Sequence, residues 1–167
     1  MPVHAAFGGQ GQQPGIAQLC LLAAGVAMAR VLAAQGTLAD MVAGLSVGAY
    51  PAAVTAGVLA YPDAVALVAR RATLMEQGYP RGYGMSAITG LDQPTLESLI
   101  ARVHTSDAPV YLANLNAPRQ LVISGEEGAM RRVGELARAA GATRAEPLAV
   151  SVPSHCALLA PQALALR

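Results

Sequence analysis

The pentapeptide Gly44-Leu45-Ser46-Val47-Gly48 follows an apolar run, Met41-Val42-Ala43, and constrains the fold more than any other stretch of the chain. A serine between two glycines after such a run is the pattern of a sharp strand-to-helix turn, where a larger flanking side chain would collide with neighbouring backbone. The turn leaves the serine hydroxyl standing at the end of the strand. G-x-S-x-G also occurs in ordinary tight turns, so the pentapeptide alone leaves both a nucleophile and a plain turn open.

The surrounding pattern predicts alternating strands and helices. A short apolar strand over 3–7 runs into Gly8-Gly9-Gln10-Gly11, and a helix over 16–35 is stopped by Gly36. A strand over 41–45, the turn at Ser46 and a helix over 47–59 follow, with Pro51 in the first turn, where proline is best tolerated. A further helix is predicted over 62–77, with Val65, Leu67, Val68 and Leu74 on its apolar side. After the turn-rich segment Tyr79-Pro80-Arg81-Gly82-Tyr83-Gly84, the spacing predicts strand 85–89, helix 94–104, strand 110–115, strand 120–124, helix 126–140 and strand 143–148. That order is the β-α-β-β-α-β series of a ferredoxin-like domain. Its central link is a turn at Asn116-Ala117-Pro118-Arg119, since Pro118 disfavours helix at the residue before it.

Composition excludes several classes. The 167 residues are 54% hydrophobic and 13% charged, too apolar for a disordered chain. The longest apolar stretch, 19–29, is shorter than the roughly 20 residues that span a bilayer, and Arg30 ends it, so a core helix and no membrane partner are expected. No signal-peptide pattern opens the chain, and a cytoplasmic location is the expectation. Net charge is +1, and the 11 basic residues are scattered arginines, so nucleic acid is not an expected partner. Cys20 and Cys156 match neither a zinc spacing nor a disulfide scaffold, and with three dispersed histidines no metal site is expected.

Acyl chemistry at Ser46 needs a base and donors for the oxygen that becomes negative. His155, in Ser151-Val152-Pro153-Ser154-His155-Cys156, is the candidate base because it follows the small domain, where the chain re-enters the core. His4 and His104 fit structural roles better. Cys156 has no sharp turn to present it and in an extended segment points away from His155. Two backbone amides are candidate oxyanion donors: Val47, the residue after the serine, and Gln10 in the glycine-rich loop.

Together the motifs Phe7-Gly8-Gly9-Gln10-Gly11-Gln12-Gln13, Gly44-Leu45-Ser46-Val47-Gly48, Arg71 and Val150-Ser151-Val152-Pro153-Ser154-His155 occur in an order that resembles the malonyl-CoA:acyl carrier protein transacylases. The resemblance implies an α/β-hydrolase-like large domain over 1–83 and 150–167 with an inserted ferredoxin-like small domain over 84–149. It makes Ser46 the acyl-accepting nucleophile, His155 the general base, and the Gln10 and Val47 amides the oxyanion hole. It gives Arg71 the free carboxylate of a malonyl group, which a guanidinium fork fits bidentately, and puts Gln18 and Asn116 in the pocket lining. Malonyl-CoA and an acyl carrier protein are the implied partners, with a coenzyme A thioester as substrate, a phosphopantetheine-type arm on the carrier, and no bound cofactor.

Two departures from that family bear on the pathway. Leu45 and Ala49 stand where most transacylases of fatty acid synthesis carry histidine and glutamate. The segments GLSVGAYPAAV from Gly44 and YPRGYGMSAITGL from Tyr79 look more like the epsilon subunit of malonate decarboxylase, which would add other decarboxylase subunits as partners. The chain is also shorter than the family's, between the GQG loop and Ile16 and after His155, so the large domain is expected to be incomplete. The main expectation is therefore a malonyl transferase serving malonate decarboxylation, with a transacylase of fatty acid or polyketide synthesis as the alternative. A serine hydrolase and a non-catalytic scaffold subunit are the other classes.

Overall fold

The computed structural model describes residues 14–79 and 81–166. The strand expected over 3–7 and the loop at Gly8-Gly9-Gln10-Gly11, and with them His4 and Gln10, lie outside the described residues. The chain divides into two compact units, one running to Leu74 and the other over Met75–Ala165.

Three helices make up most of the first unit: α1 (Pro14–Ala34), α2 (Ala49–Thr55) and α3 (Tyr61–Gly78). The core forms where Leu22 and Val26, one turn apart on α1, meet Ala64 and Val68, one turn apart on α3. Leu19, Val47, Tyr50, Val54, Leu59, Tyr61 and Val65 pack around them. Each fully buried Leu or Val contributes about 1.5–3 kcal/mol relative to exposure. On α3 the buried positions are Ala64, Val68, Ala72 and Met75; Val65, Leu67 and Leu74, expected on that face, are only partly buried. α2 is shorter than the sequence predicts, because Gly57 adopts φ +75 and the Val58 amide bonds back to the Ala53 carbonyl, which closes the helix.

α1 matches the helix predicted over 16–35 to within two residues, and the Arg30 guanidinium within it sits 5.4 Å from the centroid of the Tyr61 ring. By length and composition alone the 20 residues Gly15–Ala34 are apolar enough to cross a membrane. Leu22 and Val26 are buried in the core, while Ile16, Leu21, Met28, Val31 and Leu32 are exposed. Among the described residues the segment expected as a strand over 41–45 has no paired neighbour. Leu45 has extended torsions, φ −89 and ψ 132, but a strand needs a neighbour for its N–H and C=O groups. The one the sequence offers, over 3–7, lies outside the described residues, and Met41 is 90% exposed.

The second unit carries the β-α-β-β-α-β series as expected. Its elements are β1 (Tyr83–Thr89), α4 (Gln93–Ala101), β2 (Val110–Ala117), β3 (Gln120–Glu126), α5 (Glu127–Ala139) and β4 (Arg144–Pro147). They form a four-stranded sheet in the order β2-β3-β1-β4, with every neighbouring pair antiparallel. Ile88, Leu121 and Ile123 lie on one face of the sheet, where they meet Leu96 of α4 and Val133 of α5. α5 buries Ala129, Met130, Val133 and Ala137, the spacing of one helical stripe. Both inner helices start on side-chain caps. Asp92 accepts the Thr95 amide at 3.0 Å, and Glu126 accepts the Gly128 and Ala129 amides at 2.7 and 2.6 Å.

Alternation along β3 turns Val122 and Ser124 to the other face of the sheet. There Ser124 is fully buried, its hydroxyl donating to the Gly84 carbonyl at 3.3 Å and lying 3.8 Å from the Cys156 sulfur. The Tyr79 hydroxyl donates to the Leu158 carbonyl at 2.9 Å. These ties explain why residues 150–165, including the short helix α6 (Ala160–Ala165), are compact with the second unit rather than with the residues up to Leu74. The division also falls within α3 rather than in the turn-rich segment, which serves as the connection from α3 to β1.

Candidate active site

The turn at Ser46 forms as the pentapeptide predicts, although its two glycines do different jobs. Residues Ser46–Gly48 make a single 3-10 turn that leads directly into α2, and the Gly48 amide bonds to the Leu45 carbonyl at 2.9 Å. A Cβ on Gly44 would fall 2.0 Å from the Gly48 carbonyl oxygen and 2.5 Å from the Ala49 nitrogen, so the chain doubles back too closely for any other residue. Gly48 is different: its torsions are helical, φ −62 and ψ −18, and among the described residues nothing lies within 4 Å of a Cβ built there. Among the described residues, therefore, the backbone crowds Gly44 and leaves Gly48 room for a side chain.

Backbone strain marks the two residues expected to react. Among the described residues, Ser46 (φ 54) and His155 (φ 60) are the non-glycine residues in the left-handed region. Each such placement costs about 1–3 kcal/mol and persists only where the surroundings enforce it. At Ser46 the enforcement is the close return at Gly44. At His155 it comes from anchors on either side. Val152, Pro153 and Ser154 are buried, the Ser154 amide bonds to the Val152 carbonyl at 2.8 Å, and the Cys156 thiol donates to the Pro153 carbonyl at 3.2 Å. The left-handed residue between them carries an exposed imidazole.

Within the first unit, three of the expected residues meet. Arg71 of α3 donates from Nη2 to the Ser46 hydroxyl at 3.1 Å and from Nη1 to the Gln18 side-chain oxygen of α1. Arg70, one residue earlier and about 100° around the helix, is exposed, while Arg71 is half-buried. Burial pushes the Arg71 guanidinium below its ordinary value, opposed by the nearby Tyr50. Among the described residues Arg71 has no carboxylate partner: its bonds run to a hydroxyl and an amide. Val47 follows Ser46 in the 3-10 turn with its side chain on the unit's core, and its amide is one of the helix-start N–H groups that have no partner within a helix.

The remaining expectations are placed as follows. Gln10 lies outside the described residues. Asn116 is exposed near the end of β2, not in the turn, because the strand runs on to Ala117 and pairs it with Gln120, leaving Pro118 and Arg119 as a two-residue loop. His104 serves packing: its Nδ1 lies 2.9 Å from the Val110 carbonyl oxygen and its ring stands edge-on to Tyr111. Burial pushes the Cys156 thiol up, away from a reactive thiolate. Among the described residues no group of three His, Cys, Asp or Glu is placed to hold a metal ion. Sequence reasoning missed Tyr50, whose proximity to Arg71 comes from the packing of the fold and has no local signal.

Ser46 thus stands on a sharp turn bonded to a half-buried arginine, and elsewhere in the chain an exposed histidine is held in the left-handed region. The chain belongs to the acyl transferase domain family, whose model matches residues 9–166. It is 46% identical over 148 residues to the malonyl CoA-acyl carrier protein transacylase of Escherichia coli K12, covering 87% of this chain and 48% of that protein. It is 41% identical over 152 residues to the Bacillus subtilis protein of the same name, covering 90% of this chain and 48% of that one. The α/β fold, mixed helices with an antiparallel sheet, matches solved structures of such proteins. One is the malonyl CoA-acyl carrier protein transacylase of Coxiella burnetii, with a TM-score of 0.88 and 40% identity over 92% of this chain and 49% of that one. Another belongs to the complex of a type II PKS acyl-carrier protein with its malonyl-transacylase, with a TM-score of 0.87 and 44% identity over 92% of this chain and 50% of that one. The chain spans about half the length of these relatives.

Proposed function

We propose that the protein transfers a malonyl group from coenzyme A to the thiol of an acyl carrier protein through an ester on Ser46. The single observation that carries this reading is the Arg71 bond to Ser46, because it sets a carboxylate-binding fork beside the nucleophile, as an acyl group with a free carboxylate requires. His155 takes the Ser46 proton, and Oγ attacks the thioester carbonyl. The Val47 and Gln10 amides hold the developing oxyanion, a contribution of about 2.7–4 kcal/mol per donor in comparable sites. Coenzyme A leaves as its thiol, and the carrier's phosphopantetheine-type thiol then attacks the serine ester. No bound cofactor takes part in these steps. Gln18 steadies Arg71.

The reading favours a transacylase of fatty acid or polyketide synthesis over the decarboxylase subunit suggested by Leu45 and Ala49. What supports this choice is that the Escherichia coli and Bacillus subtilis relatives both carry the transacylase name, and that a matching structure holds a type II PKS acyl-carrier protein. Leu45 and Ala49 are both exposed and neither supplies a catalytic atom. Incubation with malonyl-CoA and candidate holo-carrier proteins tests the proposal. Malonylation of a fatty-acid or polyketide carrier, lost in Ser46→Ala, is the expected result, and transfer only to a decarboxylase carrier would overturn the pathway. Release of free malonate with no carrier product would indicate a hydrolase. In Arg71→Ala the preference for malonyl over acetyl thioesters should fall.

A further inference from the structure

We propose that Arg71 also guards Ser46 in the substrate-free protein, and that the free carboxylate of the incoming acyl group draws it off, so that one end of the substrate releases the nucleophile that attacks its other end. The inference rests on the reading of Ser46 as the nucleophile. Arg71 Nη2 donates to the Ser46 hydroxyl at 3.1 Å. An N–H directed at Oγ occupies one of its lone pairs and draws electron density from the oxygen, which lowers its nucleophilicity. A nearby cation favours the serine alkoxide, yet the directed bond holds it back. The same group that would help the nucleophile ionise therefore slows its attack until it turns away.

The guanidinium has reason to turn. It is half-buried, burial disfavours its charge, and among the described residues it has only a neutral hydroxyl and a neutral amide as acceptors. A carboxylate offers two charged acceptors in the fork's own geometry and outcompetes a hydroxyl for it. In a malonyl thioester one methylene separates carboxylate from carbonyl carbon, so docking the first on Arg71 leaves the second beside the oxygen just released. Oγ then forms its bond to that carbon, the C–S bond breaks, and the serine proton passes through the base to the leaving sulfur. An acetyl thioester has no carboxylate and leaves Arg71 on Ser46. Selection thus operates on the reactivity of the serine as well as on the fit of the acyl group.

A small alkyl fluorophosphonate measures this separately from acyl transfer, since Oγ displaces its fluoride without any carboxylate in the reagent. The protein is labelled with and without sodium malonate, against sodium chloride at equal ionic strength, and Ser46 modification is followed by intact mass. Malonate should accelerate labelling about tenfold, the scale of one charge-assisted hydrogen bond in a rate. Arg71→Ala should label at the accelerated rate without malonate and be indifferent to it. Malonate that slows labelling or leaves it unchanged in the unaltered protein overturns the guard, and this arm requires no variant to fold. Labelling of Arg71→Ala that is no faster than the unaltered protein, with circular dichroism showing it folded, does the same. Absence of Ser46 labelling in every arm overturns the nucleophile reading itself, and the guard with it.

Discussion

Replacing each glycine of the Ser46 turn by alanine separates geometry from pattern. At Gly44 the new Cβ would stand 2.0 Å from the Gly48 carbonyl oxygen, 2.1 Å from its carbon and 2.5 Å from the Ala49 nitrogen, all far inside the 3.4 Å at which ordinary contact begins. All three are backbone atoms, so no side chain can swing aside, and the turn must open. Overpacking of this kind costs about 1–3 kcal/mol, and with only backbone to move the upper end is expected. With a urea slope of about 1–3 kcal/mol per molar, the unfolding midpoint should fall by about 1 M or more. At Gly48 nothing lies within 4 Å among the described residues and the torsions are helical, so alanine should be neutral or stabilise by about 0.4–1 kcal/mol through the unfolded chain. Urea unfolding by circular dichroism and fluorophosphonate labelling of Ser46 read stability and turn geometry together. Equal damage from the two substitutions, or a harmless Gly44→Ala, would refute the reasoning.

Other expectations follow from single contacts. Glu126→Ala removes the acceptor for two amides at the start of α5 and should cost about 1 kcal/mol in urea unfolding, with Glu126→Gln recovering part of it. Hydrogen bonding from Thr95 holds the Asp92 carboxyl below its ordinary value. Its stabilisation is thus complete above the unfolded value of about pH 4 and is lost as pH falls through the lower folded value. Asp92→Asn should flatten that acid limb of a thermal-melt series. Iodoacetamide at pH 8 should modify exposed Cys20 well before Cys156, whose thiol burial pushes up, as read by peptide mass spectrometry. Ile123→Ala, in the middle of the small sheet and fully buried, should cost about 2–5 kcal/mol.

The small domain was the most legible part of the sequence. Its strands alternate or run fully apolar between glycine and proline punctuation, its helices carry a stripe such as Ala129, Met130, Val133 and Ala137, and the signals are local. The pairing of the 41–45 segment is a different matter, because a strand depends on a partner that periodicity cannot supply, and the expected one over 3–7 lies outside the described residues. The bounds of α1 were legible, but its buried side was not. Alanine, leucine and valine all around it conceal which positions are buried, and only the meeting of Leu22 and Val26 with α3 decides. At the site, the pentapeptide located Ser46 and the Gly44 constraint. The distinct freedom of Gly48 and the left-handed torsion at His155 are properties of the folded backbone. The meeting of Arg71, Gln18 and Ser46, residues 25 and 53 positions apart along the chain, is a matter of helix packing that no local pattern encodes.

The most direct test of the Ser46 ester is intact-protein mass spectrometry after a brief pulse of malonyl-CoA and an acid quench. One malonyl adduct should appear on Ser46, be absent in Ser46→Ala, and disappear when a holo-acyl carrier protein is added, with the malonyl group recovered on the carrier thiol. A carrier that becomes malonylated while Ser46 never carries the group, or a protein that gains no malonyl group at all, would contradict the account.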